Sequence, residues 1–194
     1  MALIGRRGLV AGGLLAGGAT VAAALLIGKR PPEILHLTEP AGTLHGMSAM
    51  VRVTPVSAAP AITFADATGA ARTLEDYRGK GVVLNIWATW CGPCVTEMPS
   101  LVALSRAADG FVVLPLSIDH GGAAVVGPWL QRHGAAALPV LIDDKQAAMT
   151  ALGVRGVPTT FVIDRAGNFR GRLEGGADWS TPEARRVVGE LVGA

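Results

Sequence analysis

The stretch Gly81-Val82-Val83-Leu84-Asn85-Ile86-Trp87-Ala88-Thr89-Trp90-Cys91-Gly92-Pro93-Cys94 decides how this chain is read. From Gly81 to Ala88 it is an uncharged, mainly apolar run of strand length, the pattern of a strand buried on both faces. A helix is expected from about Pro93 to Ala108, with Met98, Leu101, Val102 and Leu104 as its apolar stripe. The two cysteines therefore stand where a buried strand feeds a helix N-terminus. Residues i and i+3 of a first helical turn lie within disulfide reach, so the pair can close and open with little backbone movement. Cys91, at the helix start, has the positive dipole end and unpaired backbone N–H groups to stabilise a thiolate. Cys94, one turn in, is expected to be more buried and to act as the resolving thiol.

Composition removes other readings of the pair. Among 194 residues there are only 2 cysteines, which exclude a multi-disulfide scaffold and a Cys₄ zinc site. A single C-x-x-C is half a zinc site, but no second pair and no suitably spaced histidine pair completes it. A redox dithiol is favoured, with no cofactor beyond the cysteines themselves. Four of the 17 Lys and Arg lie within the first thirty residues, which leaves 13 bases against all 15 acids in the remainder. That near-neutral body offers no electrostatic footprint for nucleic acid.

Residues 8–28 contain no charge and are bracketed by Arg6-Arg7 and Lys29-Arg30. A helix of that length spans a bilayer. The alternative is a cleaved signal peptide, of Sec or twin-arginine type, with Ala22-Ala23-Ala24 as its small residues, but the apolar run continues through Leu25, Leu26 and Ile27. Either reading carries the rest of the chain across a membrane, which in a bacterium means the periplasm. Residues 31–60 hold Pro31, Pro32, Pro40, Pro55 and Pro60 without a sustained period, so they are expected to be a linker. Within them His45, Met47 and Met50 form a group of soft donors of the kind copper takes, a pattern that in a linker more often has no metal role. The globular domain is expected over residues 61–194. It opens with a hairpin from Ile62 to Arg72 and continues as strands and helices in alternation. Strands follow at Phe111–Ile118, Pro139–Ile142, Thr160–Ile163 and Phe169–Leu173, and a last helix at Thr181–Val192. This order implies an α/β fold, a mixed sheet with helices on both faces.

The Trp90-Cys91-Gly92-Pro93-Cys94 motif resembles that of the thioredoxin superfamily, and Arg155-Gly156-Val157-Pro158-Thr159 resembles its cis-proline loop. The resemblance implies that Val157 and Pro158 face the dithiol and that Val157 pairs with an extended client segment. Trp90 would flank the dithiol as a contact surface, with Gly92-Pro93 similar to the dipeptide of reducing members, while Trp87 fills the core. Thr73 to Lys80, Asn85 to Trp90, Glu97-Met98-Pro99 and Gly175 to Trp179 are most similar to the membrane-anchored TlpA/ResA-type reductases. Asn85 stands where thioredoxin keeps a buried aspartate as proton acceptor, and an amide cannot accept that proton. Glu97, three residues after Cys94 on the same helical face, is the replacement, unless it is a solvated glutamate favoured by the helix dipole. Asp119 and His120 follow the second strand at the same sheet edge as Cys91, where His120 is either functional or an exposed loop histidine.

The activity so implied is thiol-disulfide exchange. Exported proteins with disulfides are the expected clients, among them apocytochrome c or oxidase copper-site proteins, and a thiol-type membrane electron donor would reset the pair. Two rivals share the fold: a thiol peroxidase of peroxiredoxin type, and a Sco-like copper chaperone using both cysteines with His120.

Overall fold

The computed structural model describes residues 44–193. The expected membrane segment at residues 8–28 lies outside them. Among the described residues no helix is long and apolar enough to cross a membrane.

Eight strands form one mixed sheet: β1 (Val51–Ala58), β2 (Thr63–Asp66), β3 (Ala71–Thr73), β4 (Gly81–Trp87), β5 (Phe111–Ser117), β6 (Leu141–Ile142), β7 (Thr159–Ile163) and β8 (Asn168–Glu174). Their spatial order is β1-β8-β7-β4-β5-β6-β2-β3. Among the described residues the α-helices are α1 (Gly92–Arg106), α2 (Ala123–Arg132), α3 (Ala147–Ala151) and α4 (Pro182–Gly193), and helices cover both faces of the sheet. Strands β4, β5 and β6 run parallel, whereas β7 pairs antiparallel to β4 and β8 antiparallel to β7.

The centre of the sheet follows from hydrophobicity. Every residue of β4 is buried, which explains why its sequence shows no alternation: neither face meets water. β5 lies beside it with only Val112 partly open. The hairpin of β2 and β3 joins the sheet through β6 and turns on Asp66, whose Oδ1 accepts from the backbone N–H groups of Thr68 and Ala70. Such side-chain bonds compete with the ladder and favour a turn.

The linker expectation requires correction at its C-terminal end. β1 is an edge strand of the sheet, paired antiparallel with β8, although nearly all its residues are exposed. With solvent on both sides it has no burial period to display, and Pro55 is tolerated because an edge strand needs only one row of its N–H groups. A register shift between Arg52 and Ser57 brackets that proline. Met47, one of the soft donors noted in that stretch, is 5% exposed and belongs to the core. Met50 and Leu191 both press on Gly171, where an added Cβ would stand 2.8 Å from Met50 Sδ and 2.9 Å from Leu191 Cδ1. Packing thus accounts for both methionines.

Candidate active site

The strand-to-helix junction at the end of β4 places the dithiol. Cys91 is the N-cap of α1 in extended conformation, and the Cys94 N–H points at Cys91 Sγ over 3.3 Å. A helix N-terminus has donors without intrahelical acceptors, and here a sulfur takes one of them. Cys91 and Cys94 are joined in a disulfide with Cα atoms 5.3 Å apart. Cys94 is fully buried, and Cys91 is less open than its helix-start position suggested, at 5% exposure. Beside them Trp90 is 68% exposed while Trp87 is fully buried, tilted against Trp129. The Val157-Pro158 bond is cis, and the Val157 carbonyl oxygen lies 3.5 Å from Cys91 Sγ. Cys91, Cys94, Trp90, Gly92, Pro93, Val157 and Pro158 thus gather at one end of the sheet.

The loop between β4 and α1 is tied down by a residue whose role the sequence did not reveal. Asp119 is buried after β5, and its two oxygens accept from the Thr89 N–H at 2.9 Å, the Thr89 hydroxyl at 2.7 Å and the Ser117 hydroxyl at 2.7 Å. Thr89 lies two residues before Cys91, so this carboxylate holds the approach to the dithiol. The neighbouring His120 turns away: it is exposed and its Nδ1 lies 3.0 Å from the Asp144 carbonyl oxygen. Among the described residues no group of three or more His, Cys, Asp or Glu is arranged to hold a metal ion, so His120 does not join the cysteines in one.

Glu97 is fully buried, which removes the solvated alternative. Its Oε1 accepts from Asn85 Nδ2 at 2.8 Å, and its Oε2 accepts from the Ala177 N–H at 2.9 Å and from Trp179 Nε1 at 3.0 Å. Asn85 Nδ2 also reaches Thr160 Oγ1 at 2.9 Å, because β4 and β7 pair these two residues in register. Ser100 locks the same loop to α1: its hydroxyl donates to the Glu97 carbonyl at 2.7 Å and accepts from the Trp179 N–H at 3.1 Å. All three donors to the carboxylate are neutral. Burial drives Glu97 from the ordinary carboxyl value to about 7, and the hydrogen bonds from Ala177, Trp179 and Asn85 oppose that rise without cancelling it. A carboxyl that titrates near neutrality, one turn along the helix from Cys94, is suited to exchange protons with it. Asn85, read from the sequence as a missing acid, is the donor that makes a buried glutamate tolerable. An aspartate there would set two carboxylates 2.8 Å apart. A large buried indole tends to find an acceptor for its N–H, as Trp179 does in Glu97, although Trp87 Nε1 has none among the described residues. That tendency is the signal linking Trp179 to an acid.

A C-x-x-C disulfide at the start of a helix, on a thioredoxin-like sheet, defines a thiol-disulfide oxidoreductase. The model of the AhpC/TSA family matches residues 55–172, and the chain belongs to that family. Within it the likeness is to ResA-type proteins. The chain is 38% identical over 120 residues to the thiol-disulfide oxidoreductase ResA of Geobacillus thermodenitrificans (strain NG80-2), a span of 61% of this chain and 68% of that protein. Among solved structures, the exposed lipoprotein thioredoxin Etrx1 of Streptococcus pneumoniae strain TIGR4 superposes with a TM-score of 0.58 at 28% identity, covering 68% of this chain and 100% of the other. A thioredoxin-family thiol:disulfide interchange protein of Chlorobium tepidum TLS shares the fold, with a TM-score of 0.60 at 24% identity over 72% of this chain and 99% of the other.

Proposed function

We propose that this domain reduces disulfides in exported proteins, and that residues 8–28 hold it on the periplasmic side of a bacterial inner membrane. In the reducing cycle the Cys91 thiolate attacks a client disulfide and one client sulfur leaves as a thiolate. The Cys94 thiol then passes its proton to the Glu97 carboxylate and attacks Cys91. The Cys91–client bond breaks, the second client sulfur leaves with the electron pair and takes up a proton, and the domain is left with its disulfide. A thiol-type membrane donor reverses that oxidation. The observation that carries this reading is the unequal setting of the two sulfurs: Cys91 caps the helix beside the Val157 main chain, and Cys94 is sealed beneath it.

Trp90, Gly92, Pro93, Val157 and Pro158 form the client surface. The likeness to ResA supports exported clients, and we extend it to apocytochrome c and the copper-site proteins of respiratory oxidases. A Cys94→Ser variant tests the assignment, because an attacking Cys91 without its resolving partner holds the client as a stable mixed disulfide that mass analysis identifies. Trapping by Cys91→Ser in its place would reverse the two roles. The family match favours a second reading, a peroxiredoxin-type peroxidase. Its mark would be peroxide consumption faster than disulfide reduction by the same preparation.

A further inference from the structure

The proton that Glu97 receives has one favourable place to sit. Oε2 faces the Ala177 N–H and the Trp179 indole N–H, both of which only donate, so a proton there would meet donors. Oε1 faces Asn85, and an amide is able to change sides: its NH₂ donates and its carbonyl accepts. With Glu97 ionised, Nδ2 donates to both Glu97 Oε1 and Thr160 Oγ1, while the buried Oδ1 has no hydrogen-bond partner among the described residues. A buried carbonyl without a donor requires a reason.

Turning the amide over leaves that end unpaired but matches the facing end to a protonated Glu97. Oδ1 then occupies the position between Glu97 Oε1 and Thr160 Oγ1, where a protonated carboxyl and a hydroxyl both have hydrogens to give. The end of the amide turned away stays unpaired in either orientation, a carbonyl in one and an NH₂ in the other, so what can select between the two arrangements is the proton state of Glu97 that the facing end satisfies. We propose that Asn85 is a positioning residue that follows the proton of Glu97, donating to the carboxylate while it is ionised and presenting its carbonyl once Glu97 has taken a proton from Cys94. This inference rests on Glu97 as the proton acceptor. Asn85 does not touch the reacting sulfur in this scheme; it makes both states of the acceptor tenable in a site closed to water.

The other titratable groups around Glu97 are few. Cys94 precedes it on α1, and the segment that holds Oε2 carries Asp178, whose Oδ1 accepts from Ser180. His45 lies against that segment, with its backbone bonded to Gly176 and its ring over Gly175.

Nuclear magnetic resonance of the oxidised protein isolates the event, since disulfide-bonded cysteines do not titrate. The side-chain amide signals of Asn85 are expected to move between pH 5 and 9 with a midpoint near 7, and to stay constant in Glu97→Gln. Constant signals in the unaltered protein overturn the proposal. So does a titration that survives in Glu97→Gln, because Asn85 then senses a group other than Glu97. Kinetics provide the second arm. Asn85→Leu removes the donor to the ionised form, so the pH midpoint of mixed-disulfide resolution rises, with a loss of about tenfold at pH 7 that shrinks towards pH 8.5. An equal loss at every pH means a merely structural residue and overturns the proposal. If Asn85→Leu fails to fold, the amide titration in the unaltered protein decides. Unimpaired resolution in Glu97→Gln would instead refute the acceptor role of Glu97, an outcome separate from the amide titration.

Discussion

Two carboxylates in this molecule, Glu97 and Asp66, each accept several short hydrogen bonds and titrate at opposite ends of the scale. Asp66, in the hairpin turn, takes bonds from the Thr68 N–H and hydroxyl, the Ala70 N–H and Arg72 Nε, and its pKa falls to about 2. Glu97 takes three bonds of similar length and rises to about 7. Solvent makes the difference. The turn carboxylate keeps part of its hydration and adds protein donors and the Arg72 cation to it, with the Thr68 bonds as the main cause of its shift. The buried one exchanges hydration for three neutral donors and no cation. Hydrogen bonds that lower a pKa at the surface only limit its rise in the interior.

The largest expected effect is on stability against pH. Glu97 binds its proton more tightly folded than unfolded, so between its ordinary value near 4.5 and about 7 the folded state holds the extra proton, and stability falls as pH rises through that window. The total is about 3 kcal/mol, of the size of the pKa shift converted to energy. Denaturant unfolding of the oxidised protein from pH 4 to 8 measures it. Glu97→Gln should flatten the slope, and a parent already flat there would equate the two carboxylates. In catalysis the same substitution should preserve the fold and the initial attack while slowing resolution by about 10²-fold, seen as accumulation of the mixed disulfide in a single turnover. Parent-like resolution from pH 6 to 8 would leave Glu97 with a structural role alone.

Trp179→Phe sharpens the comparison by removing one donor and little volume. It should cost about 2 kcal/mol at pH 8, where Glu97 is ionised, and less at pH 5, where it is protonated. An equal cost at both values would assign the loss to packing. The smallest effect is expected at the surface. Asp66 has a lowered pKa, so its contribution is present above about 4 and is lost as pH falls towards 2. Asp66→Asn should therefore lower the melting temperature slightly at neutral pH and remove that part of the acid dependence, while disulfide reduction continues at the parent rate.

The parts of the molecule legible in the sequence are those with a local cause. The mainly apolar run of β4, the Asp66 turn and the placement of the dithiol at a helix start each follow from a few adjacent residues. Helix α1 appears at Gly92–Arg106, close to the Pro93–Ala108 span its sequence pattern indicates. β1 was not legible, because an exposed edge strand has no burial period, and the burial of Met47 was not, because nothing in its own neighbourhood reveals the core it enters.

By itself the sequence determined that two cysteines would meet across one helical turn, since a spacing of three residues in an α-helix leaves them no other relation. It also determined that a central buried strand would carry them and that a glutamate would lie one turn farther along. Only the tertiary structure decided what that glutamate is. Its partners come from β4, from the β8–α4 connection and, through Asn85, from β7, and these segments are up to 82 positions from it in sequence. Whether a carboxyl is hydrated or sealed among neutral donors depends on which distant segments close over it, and that closure moves Glu97 to the pH at which a thiol's proton can be taken and returned.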